Sequence, residues 1–316
     1  MLIAGPNLTV DRLIGLDQFD VGNIHRAHDV TTQIGGGGPN AARTAVQLGG
    51  KARLITLIPE PDVPTVAAAL ANDGVKTEWI SCPGNLRVAT ILREERGRMS
   101  VLNEPGPSVS PREWNAYAKL VESRLLAGEV LLCSGSLPPG APASGYARLA
   151  AQARHNGSRC IIDVAGPALE AALDAGEGMI VPNLAEAETL IDGPRAQAVH
   201  AEGDQPERAR DAAEALLRRG AVRAVVTAGS AGAAYAEQGP RGLRGWVDAP
   251  RVEAASPIGA GDAFAASLGL RVEAGAPLDE AVRFATAAAA AHVESPNRHL
   301  TPERASELSD SLHAAA

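Results

Sequence analysis

Short apolar runs recur along the chain at Arg53 to Ile58, Val130 to Cys133, Cys160 to Val164, Met179 to Val181 and Val222 to Thr227, each followed closely by Gly, Pro, Ser or Asn. Continuous apolarity, as opposed to alternation, is what a strand covered on both faces needs, so these runs predict a parallel sheet. Between them, Pro39 to Leu48, Pro64 to Asn72, Pro111 to Leu126, Ser144 to His155 and Pro206 to Arg219 begin on proline or a capping residue and space apolar side chains three or four apart. That is the pattern of helices with one buried stripe. Strands and helices in alternation predict an α/β fold.

Two stretches break this rhythm. From Asp11 to Ile34 and from Leu86 to Leu102 apolar and polar residues alternate, and the second contains the turn sequence Glu95-Arg96-Gly97-Arg98. Each predicts a half-exposed antiparallel hairpin, and the two are able to pair as one small sheet. Inserted twice into an α/β core, that sheet reads either as a flap over a ligand cleft or as an edge decoration; pattern alone leaves both open. The expected division is a core of residues 1–10, 35–85 and 103–316 and a β flap of residues 11–34 and 86–102. No internal repeat, heptad or low-complexity tract interrupts it, and the run Ala287 to Ala291 predicts close helix packing.

Composition adds exclusions. With 316 residues, 45% of them hydrophobic, the chain is long enough to remove roughly 75% of its unfolded surface from water. Its 29 basic against 37 acidic side chains give a formal charge of −8, which offers no positive field to a nucleic-acid backbone, and 3% aromatic content offers few platforms for stacking bases. Nucleic acid is therefore not an expected partner. Cys82, Cys133 and Cys160 are odd in number and far apart, without a C-x-x-C pair, which fits a reducing cytoplasm. Met1 to Val10 has no basic or long apolar region, and apolar stretches such as Val66 to Ala71 fall far short of the roughly 18 residues of a membrane span. The expectation is a cytoplasmic protein without a membrane segment.

Three segments concentrate candidate chemistry. In Gly35-Gly36-Gly37-Gly38-Pro39-Asn40-Ala41-Ala42-Arg43 the glycines let backbone N–H groups approach a ligand, and Pro39 suits the first turn of a helix whose N-terminus faces it. A dinucleotide fingerprint, Gly36-x-Gly38-x-x-Ala41 with Glu60 beyond the next strand, is one reading, but the polar segment Ala27 to Ile34 is not the buried strand it requires. A plain flexible turn is another. In Ser256-Pro257-Ile258-Gly259-Ala260-Gly261-Asp262, small residues open an apolar helix running to about Glu273 and leave its first amides unobstructed for an anion. Asp262 either stabilises the helix dipole or stands beside a bound phosphate and accepts the proton of an attacking hydroxyl. The glycine pair favours the second role, because it weakens a helix unless a ligand must come close. After the strand Met179 to Val181, Asn183 and Glu186 have the spacing of a helix cap; the same groups suit Mg²⁺ and a phosphate chain as hard oxygen ligands.

Other motifs fail. Ala45 and Ala52 break any Walker A sequence around Lys51, and Ala228-Gly229-Ser230-Ala231-Gly232 lacks the first glycine of a nucleophile elbow. The pair His25-x-x-His28 lies in the flap region and reads as surface.

Taken together, the glycine segment at 35–43 and the Gly-Ala-Gly-Asp segment at 259–262 make the chain resemble the ribokinase-like (PfkB-type) carbohydrate kinases over essentially its whole length. Within that family, Asn103-Glu104-Pro105-Gly106-Pro107, Ser134-Gly135-Ser136-Leu137-Pro138-Pro139-Gly140 and Pro182-Asn183-x-x-Glu186 are similar to the branch containing 1-phosphofructokinase and tagatose-6-phosphate kinase. The resemblance implies a three-layer sandwich, a mostly parallel central sheet flanked by helices, with the flap as a β lid. It implies ATP- and Mg²⁺-dependent phosphoryl transfer to a hydroxymethyl group of a sugar or sugar phosphate. By the same resemblance Asp262 is the catalytic base, and Gly259, Ala260 and Gly261 form an N–H cradle for the transferring phosphoryl group. Asn183 and Glu186 serve Mg²⁺ and the phosphate chain, Glu186 directly or through water, and Thr227 and Gly229 lie on the nucleotide side. Asp11, Gly36, Gly37 and Asn40 belong to the sugar side, and Arg87 faces a substrate phosphate. Homodimers through the lid occur in the family and are a candidate assembly here.

Two departures separate the chain from that branch. Gly37 and Val181 stand where phosphosugar kinases usually carry lysine, which removes two cations from a site for a doubly charged substrate. The alternatives that follow are an unphosphorylated sugar or nucleoside as acceptor, compensation by Arg43 or a lid arginine, and a relative that binds sugar or nucleotide without catalysis. An NAD-dependent oxidoreductase would instead bind nicotinamide at residues 35–41.

Overall fold

A computed structural model describes residues 1–193, 204–239, 242–295 and 299–314. Its strands are β1 (Leu2–Ala4), β2 (Thr9–Leu16), β3 (Asp29–Gly35), β4 (Arg53–Pro59), β5 (Lys76–Cys82), β6 (Arg87–Glu94), β7 (Met99–Asn103), β8 (Val130–Ser134), β9 (Arg159–Asp163), β10 (Met179–Ile180), β11 (Arg223–Thr227), β12 (Gly232–Glu237) and β13 (Arg244–Asp248). The helices are α1 (Gly37–Gln47), α2 (Val63–Asn72), α3 (Pro111–Arg124), α4 (Gly145–His155), α5 (Pro167–Ala175), α6 (Leu184–Asp192), α7 (Gln205–Arg218), α8 (Ala260–Glu273), α9 (Leu278–Glu294) and α10 (Pro302–Ala314).

The large sheet runs β13-β12-β11-β10-β9-β8-β1-β4-β5. It is parallel from β11 to β5, and β12 and β13 add an antiparallel edge. Successive residues of a strand point to opposite faces, and the cores divide accordingly. Leu2, Leu131, Cys133 and Ile55 pack on one face with Trp114 and Tyr117 of α3, Tyr146 of α4 and Leu216 of α7. Ile3, Leu132 and Leu54 pack on the other with Ala41 of α1, Leu70 of α2, Phe264 of α8 and Val282 of α9. Each fully buried large aliphatic or aromatic side chain contributes about 1.5–3 kcal/mol, so both helical layers are fixed to the sheet. The alanine run of α9 meets Ala305 and Leu308 of α10, as its small side chains predict. This is the expected three-layer α/β architecture.

β1 lies in the interior of the sheet but is not legible in the pattern of the chain, since three residues are too few to show a period. β5, β12, β13 and α5 are likewise additional to the elements predicted from the pattern. The first predicted helix begins earlier than expected, at Gly37, so Pro39 sits inside its first turn, where no amide hydrogen is required.

The two alternating stretches form a four-stranded sheet in the order β3-β2-β6-β7. Each is an antiparallel hairpin, and a parallel pairing of β2 with β6 joins them. The register puts Gln33, Asp11, Ala89 and Asn103 in one row across the sheet. Among the described residues no helix is long and apolar enough to cross a membrane.

Candidate active site

A parallel sheet delivers the ends of its strands to one edge, and in this chain the polar residues that follow the apolar runs collect there. Asn7 follows β1, Ser134, Gly135 and Ser136 close β8, Asp163 closes β9, Asn183 and Glu186 follow β10, and Thr227 closes β11. The N-termini of α1 and α8 meet this edge.

Two clefts open at it. One, of about 520 Å³, is lined by Asp163, Glu186 and Asp262 together with Pro167 and Leu137. The other, of about 300 Å³, lies under the small sheet and is lined by Thr9, Asp11, Gly36, Asn40, Arg87 and Asn103. Gly37, Ser136 and Asp262 border both. Asp262 thus stands where the clefts meet.

Asp262 is carried in the first turn of α8, whose N-cap Gly259 has φ 81°, a conformation that favours glycine. A Cβ at Gly259 would lie 3.1 Å from Nε2 of His292, and that nitrogen is 2.9 Å from the carbonyl oxygen of Ile258, to which it donates. Beyond Gly261 there is open space. The amide of Ala260 donates to the carbonyl of Pro257 at 3.2 Å, so it already has a partner within the turn. Asp262 Oδ2 accepts from Nδ2 of Asn40 at 2.8 Å.

The wider cleft is acidic. Asp163 is pushed up to about 8, by burial first, then by the charges of Asp262 and Glu186, against a hydrogen bond from Ser134. Glu186 is also raised, chiefly by burial, with its Asn183 hydrogen bonds opposing. None of the residues lining this cleft is cationic. Carboxylates brought together without a counter-charge suit a divalent cation, which removes the repulsion that holds their protons on. Glu186 also completes a capping box: its Oε2 accepts from the Asn183 amide at 3.0 Å, and Asn183 Oδ1 accepts from the Glu186 amide at 2.9 Å. Cap and cleft are thus functions of the same side chain.

Arg87 borders the narrower cleft, with its guanidinium donating to the carbonyls of Leu8, Glu104 and Asn7 at 3.1–3.3 Å. Burial is the main force lowering its pKa, and the Asp11 charge opposes it. Arg43, an alternative source of positive charge, is instead bound by Asp73 at 2.7 and 2.9 Å, by the Ile34 carbonyl at 2.9 Å and by Asn40 Oδ1 at 3.1 Å. It borders neither of these clefts. The absence of lysine at 37 has a packing reason: a Cβ there would lie 2.6 Å from the Gly135 nitrogen and 2.7 Å from Ser134 Oγ. No side chain fits while that loop keeps its place.

Thr227 and Gly229 are one strand farther out. The Thr227 amide donates to the Pro182 carbonyl at 3.1 Å and the residue bridges to Asn183, but neither Thr227 nor Gly229 lines the two clefts. Sequence reasoning did not single out Asp163, Ser136, Thr9 or Asn103 as site residues. For Asp163 a signal was present: it is the one charged side chain within the apolar run Cys160 to Val164, at the strand end where ligands meet such sheets. Just beyond the ends of β2, β3 and β6, Asp17, His28 and Glu95 bring ligand atoms within 4.8 Å of one another, but all three are exposed, and His28 pairs with Asp29 at 2.6 Å.

A sequence model of the pfkB family carbohydrate kinases matches residues 7–303. The chain belongs to that family. It is 29% identical over 304 residues to a 1-phosphofructokinase of Xanthomonas campestris pv. campestris, covering 94% of this chain and 92% of the relative. It is 32% identical over 278 residues to the ATP-dependent 6-phosphofructokinase isozyme 2 of Escherichia coli, covering 81% and 80%. Its fold matches phosphofructokinase-2 from Escherichia coli in complex with potassium with a TM-score of 0.86 at 27% identity over 99% of both chains. A ribokinase from Thermotoga maritima matches in fold with a TM-score of 0.73 at 22% identity, covering 97% and 98%. The protein is a carbohydrate kinase of ribokinase-like architecture.

Proposed function

We propose that this kinase transfers the γ-phosphoryl group of ATP, with Mg²⁺, to the hydroxymethyl group of a sugar phosphate, a fructose phosphate being the first candidate. The observation that carries the reading is Asp262 at the opening common to an acidic cleft and a cleft bordered by Arg87. The phosphofructokinase names of the relatives support a phosphorylated acceptor. In this reading the binding core is residues 1–10, 35–85 and 103–316, and the small sheet of residues 11–34 and 86–102 is a lid that excludes water as a competing acceptor.

The acceptor lies in the narrower cleft, with Asp11, Gly36, Gly37 and Asn40 on its hydroxyls and Arg87 toward its phosphate. Asp262 accepts the hydroxyl proton as the oxygen attacks the γ-phosphorus; the new O–P bond forms while the bond to the ADP oxygen breaks. The N-terminal turn of α8, at Gly259 and Gly261, is the seat for the negative charge of the transferring group, while the Ala260 amide stays with the Pro257 carbonyl. Asp163 and Glu186 are the residues suited to hold Mg²⁺, which when bound neutralises phosphate charge. Asn183 keeps Glu186 in place through the capping box. Thr227 and Gly229 belong on the nucleotide side, at the neighbouring strand end.

The three free, buried thiols are compatible with a cytoplasmic protein. Val30 and Leu102, on the face of the small sheet opposite Asp11 and Asn103, are 48% and 59% exposed, which supports pairing of two copies through the lid.

The test is ADP release from Mg·ATP across fructose 1-phosphate, fructose 6-phosphate, tagatose 6-phosphate, free hexoses and pentoses, and nucleosides. Turnover with a ketohexose phosphate and little with its free sugar is expected. A preference for a free sugar would favour the second reading, an unphosphorylated acceptor, which the engagement of Arg87 by three carbonyls supports.

A further inference from the structure

Asn40 joins the two halves of the site, and its amide has two chemically different ends. The nitrogen donates and the oxygen only accepts, so an amide beside a carboxylate attracts it in one orientation and repels it in the other. Nothing within Asn40 selects between them. In this chain Asn40 Oδ1 accepts from Nη1 of Arg43 at 3.1 Å, one helical turn on, which leaves Nδ2 for Asp262 Oδ2 at 2.8 Å. Arg43 is itself held from two sides. Its Nε and Nη2 donate to Asp73 Oδ2, just beyond the end of α2, at 2.9 and 2.7 Å, and Nη2 also donates to the Ile34 carbonyl near the end of β3 at 2.9 Å.

We infer that Arg43, braced by Asp73, is a positioning residue for phosphoryl transfer: it fixes the orientation of the Asn40 amide and through it the aim of Asp262. The inference rests on the reading of Asp262 as the base. Three features carry it. The chain Asp73, Arg43, Asn40, Asp262 is continuous, each link within hydrogen-bond distance. The guanidinium side chain is 11% exposed, so the bonds are not competing freely with water. The fixed fork of arginine serves Asp73, Ile34 and Asn40 at once, which the single ammonium of lysine does not reproduce in the same geometry. Because Ile34 belongs to β3, the same guanidinium also ties the base of the small sheet to the reacting carboxylate. Arg43 does not touch the acceptor cleft and is not a substrate contact.

The experiment compares Arg43→Gln, Arg43→Lys, Asp73→Asn, Asn40→Ala and the double variant Arg43→Gln/Asn40→Ala in the full chain, by steady-state kinetics and thermal unfolding. Arg43→Gln is expected to lower kcat roughly 10- to 100-fold, the scale on which misalignment acts, with KM for Mg·ATP little changed. Asp73→Asn moves the same way by less, and Arg43→Lys restores only part of the loss. In the Asn40→Ala background the Arg43 substitution should cost less than about twofold more, because its effect passes through that amide. Losses that multiply in the double variant, or a kcat that falls only where the folded fraction falls, would overturn the inference and leave Arg43 as a strut between helices. Arg43→Lys, which keeps the charge opposite Asp73, supplies the comparison if Arg43→Gln folds poorly. Asp262→Asn, measured in parallel, separates the two ideas: near-normal turnover there removes the base itself, whereas an inactive Asp262→Asn with uncoupled Arg43 and Asn40 removes only the positioning role.

Discussion

Asn40 and Asp262 are 222 residues apart in the chain, and the amide nitrogen of the first lies 2.8 Å from a carboxylate oxygen of the second. The contact brings the N-terminal turn of α1 to that of α8, so two glycine-rich segments that carry separate meanings in sequence form one wall of one site. α1 and α8 lie on the same face of the sheet, and the apolar side chains of both are shared in one core. The polar contact at the mouth is thus fixed by apolar packing below it.

Replacing Asp262 with Asn keeps the shape of the side chain and removes its ability to accept a proton. Turnover is expected to fall roughly 10²- to 10⁴-fold, the usual contribution of a general base, with nucleotide affinity retained. Titration of the variant with ATP and measurement of kcat check both halves; full activity would take the base role from this residue.

Asp163 makes the ligand-free protein pH-sensitive. Burial, with the charges of Asp262 and Glu186, pushes its carboxyl up to about 8 in the folded chain, against about 3.9 in an unfolded chain. Between those values the unfolded chain binds fewer protons, so stability present at low pH declines as pH rises through 8. Thermal unfolding at pH 5 and pH 8 is expected to show that decline in the ligand-free wild type and a flatter response in Asp163→Asn. Mg²⁺ should stabilise the wild type more at pH 8 than at pH 5. Parallel curves for wild type and variant would mean that Asp163 is not the group responsible.

Glu186→Gln separates the cap from the charge. A glutamine oxygen still accepts from the Asn183 amide, so the melting temperature should change little. The Mg²⁺ concentration needed for half-maximal activity should rise, by roughly 10-fold or more if the carboxylate ligates the ion. A large loss of stability with an unchanged Mg²⁺ requirement would assign Glu186 to helix capping alone.

Gly37 tests whether the absent lysine is a missing cation or a packing necessity. Even Gly37→Ala puts a Cβ against the Gly135 nitrogen, an overpacking expected to cost about 1–3 kcal/mol in urea unfolding. Gly37→Lys should therefore weaken the enzyme for every acceptor and not sharpen its preference for phosphorylated ones. Improved selectivity for a sugar phosphate in that variant would show that the loop from Ser134 to Ser136 yields.

Arg87→Ala should raise KM for a phosphorylated acceptor by roughly 10-fold or more while changing KM for its free sugar less, since a charge-assisted contact to phosphate is lost only in the first case. Equal changes for both acceptors would reduce Arg87 to a clamp on the carbonyls of Asn7, Leu8 and Glu104.

By itself the sequence determined the α/β class, because short unbroken apolar runs, as strands covered on both faces need, alternate with segments of helical period that carry one apolar stripe. It also marked both hairpins of the small sheet and the residues with unusual chemistry, Asp262, Asn40 and the Asn183 and Glu186 pair, since glycines before a helix and polar groups after a buried run are local signals. Only the tertiary structure decided which of these meet. The acidity around Asp163 exists because β9 and β10 are neighbours in the sheet and the N-terminus of α8 meets their ends, a relation between distant segments that no window of sequence contains. The same holds for Arg43, whose basic side chain suggested a substrate contact until packing delivered Asp73, Ile34 and Asn40 to its donors. Local propensities are written in neighbouring residues; charge environments are set by which strands become adjacent.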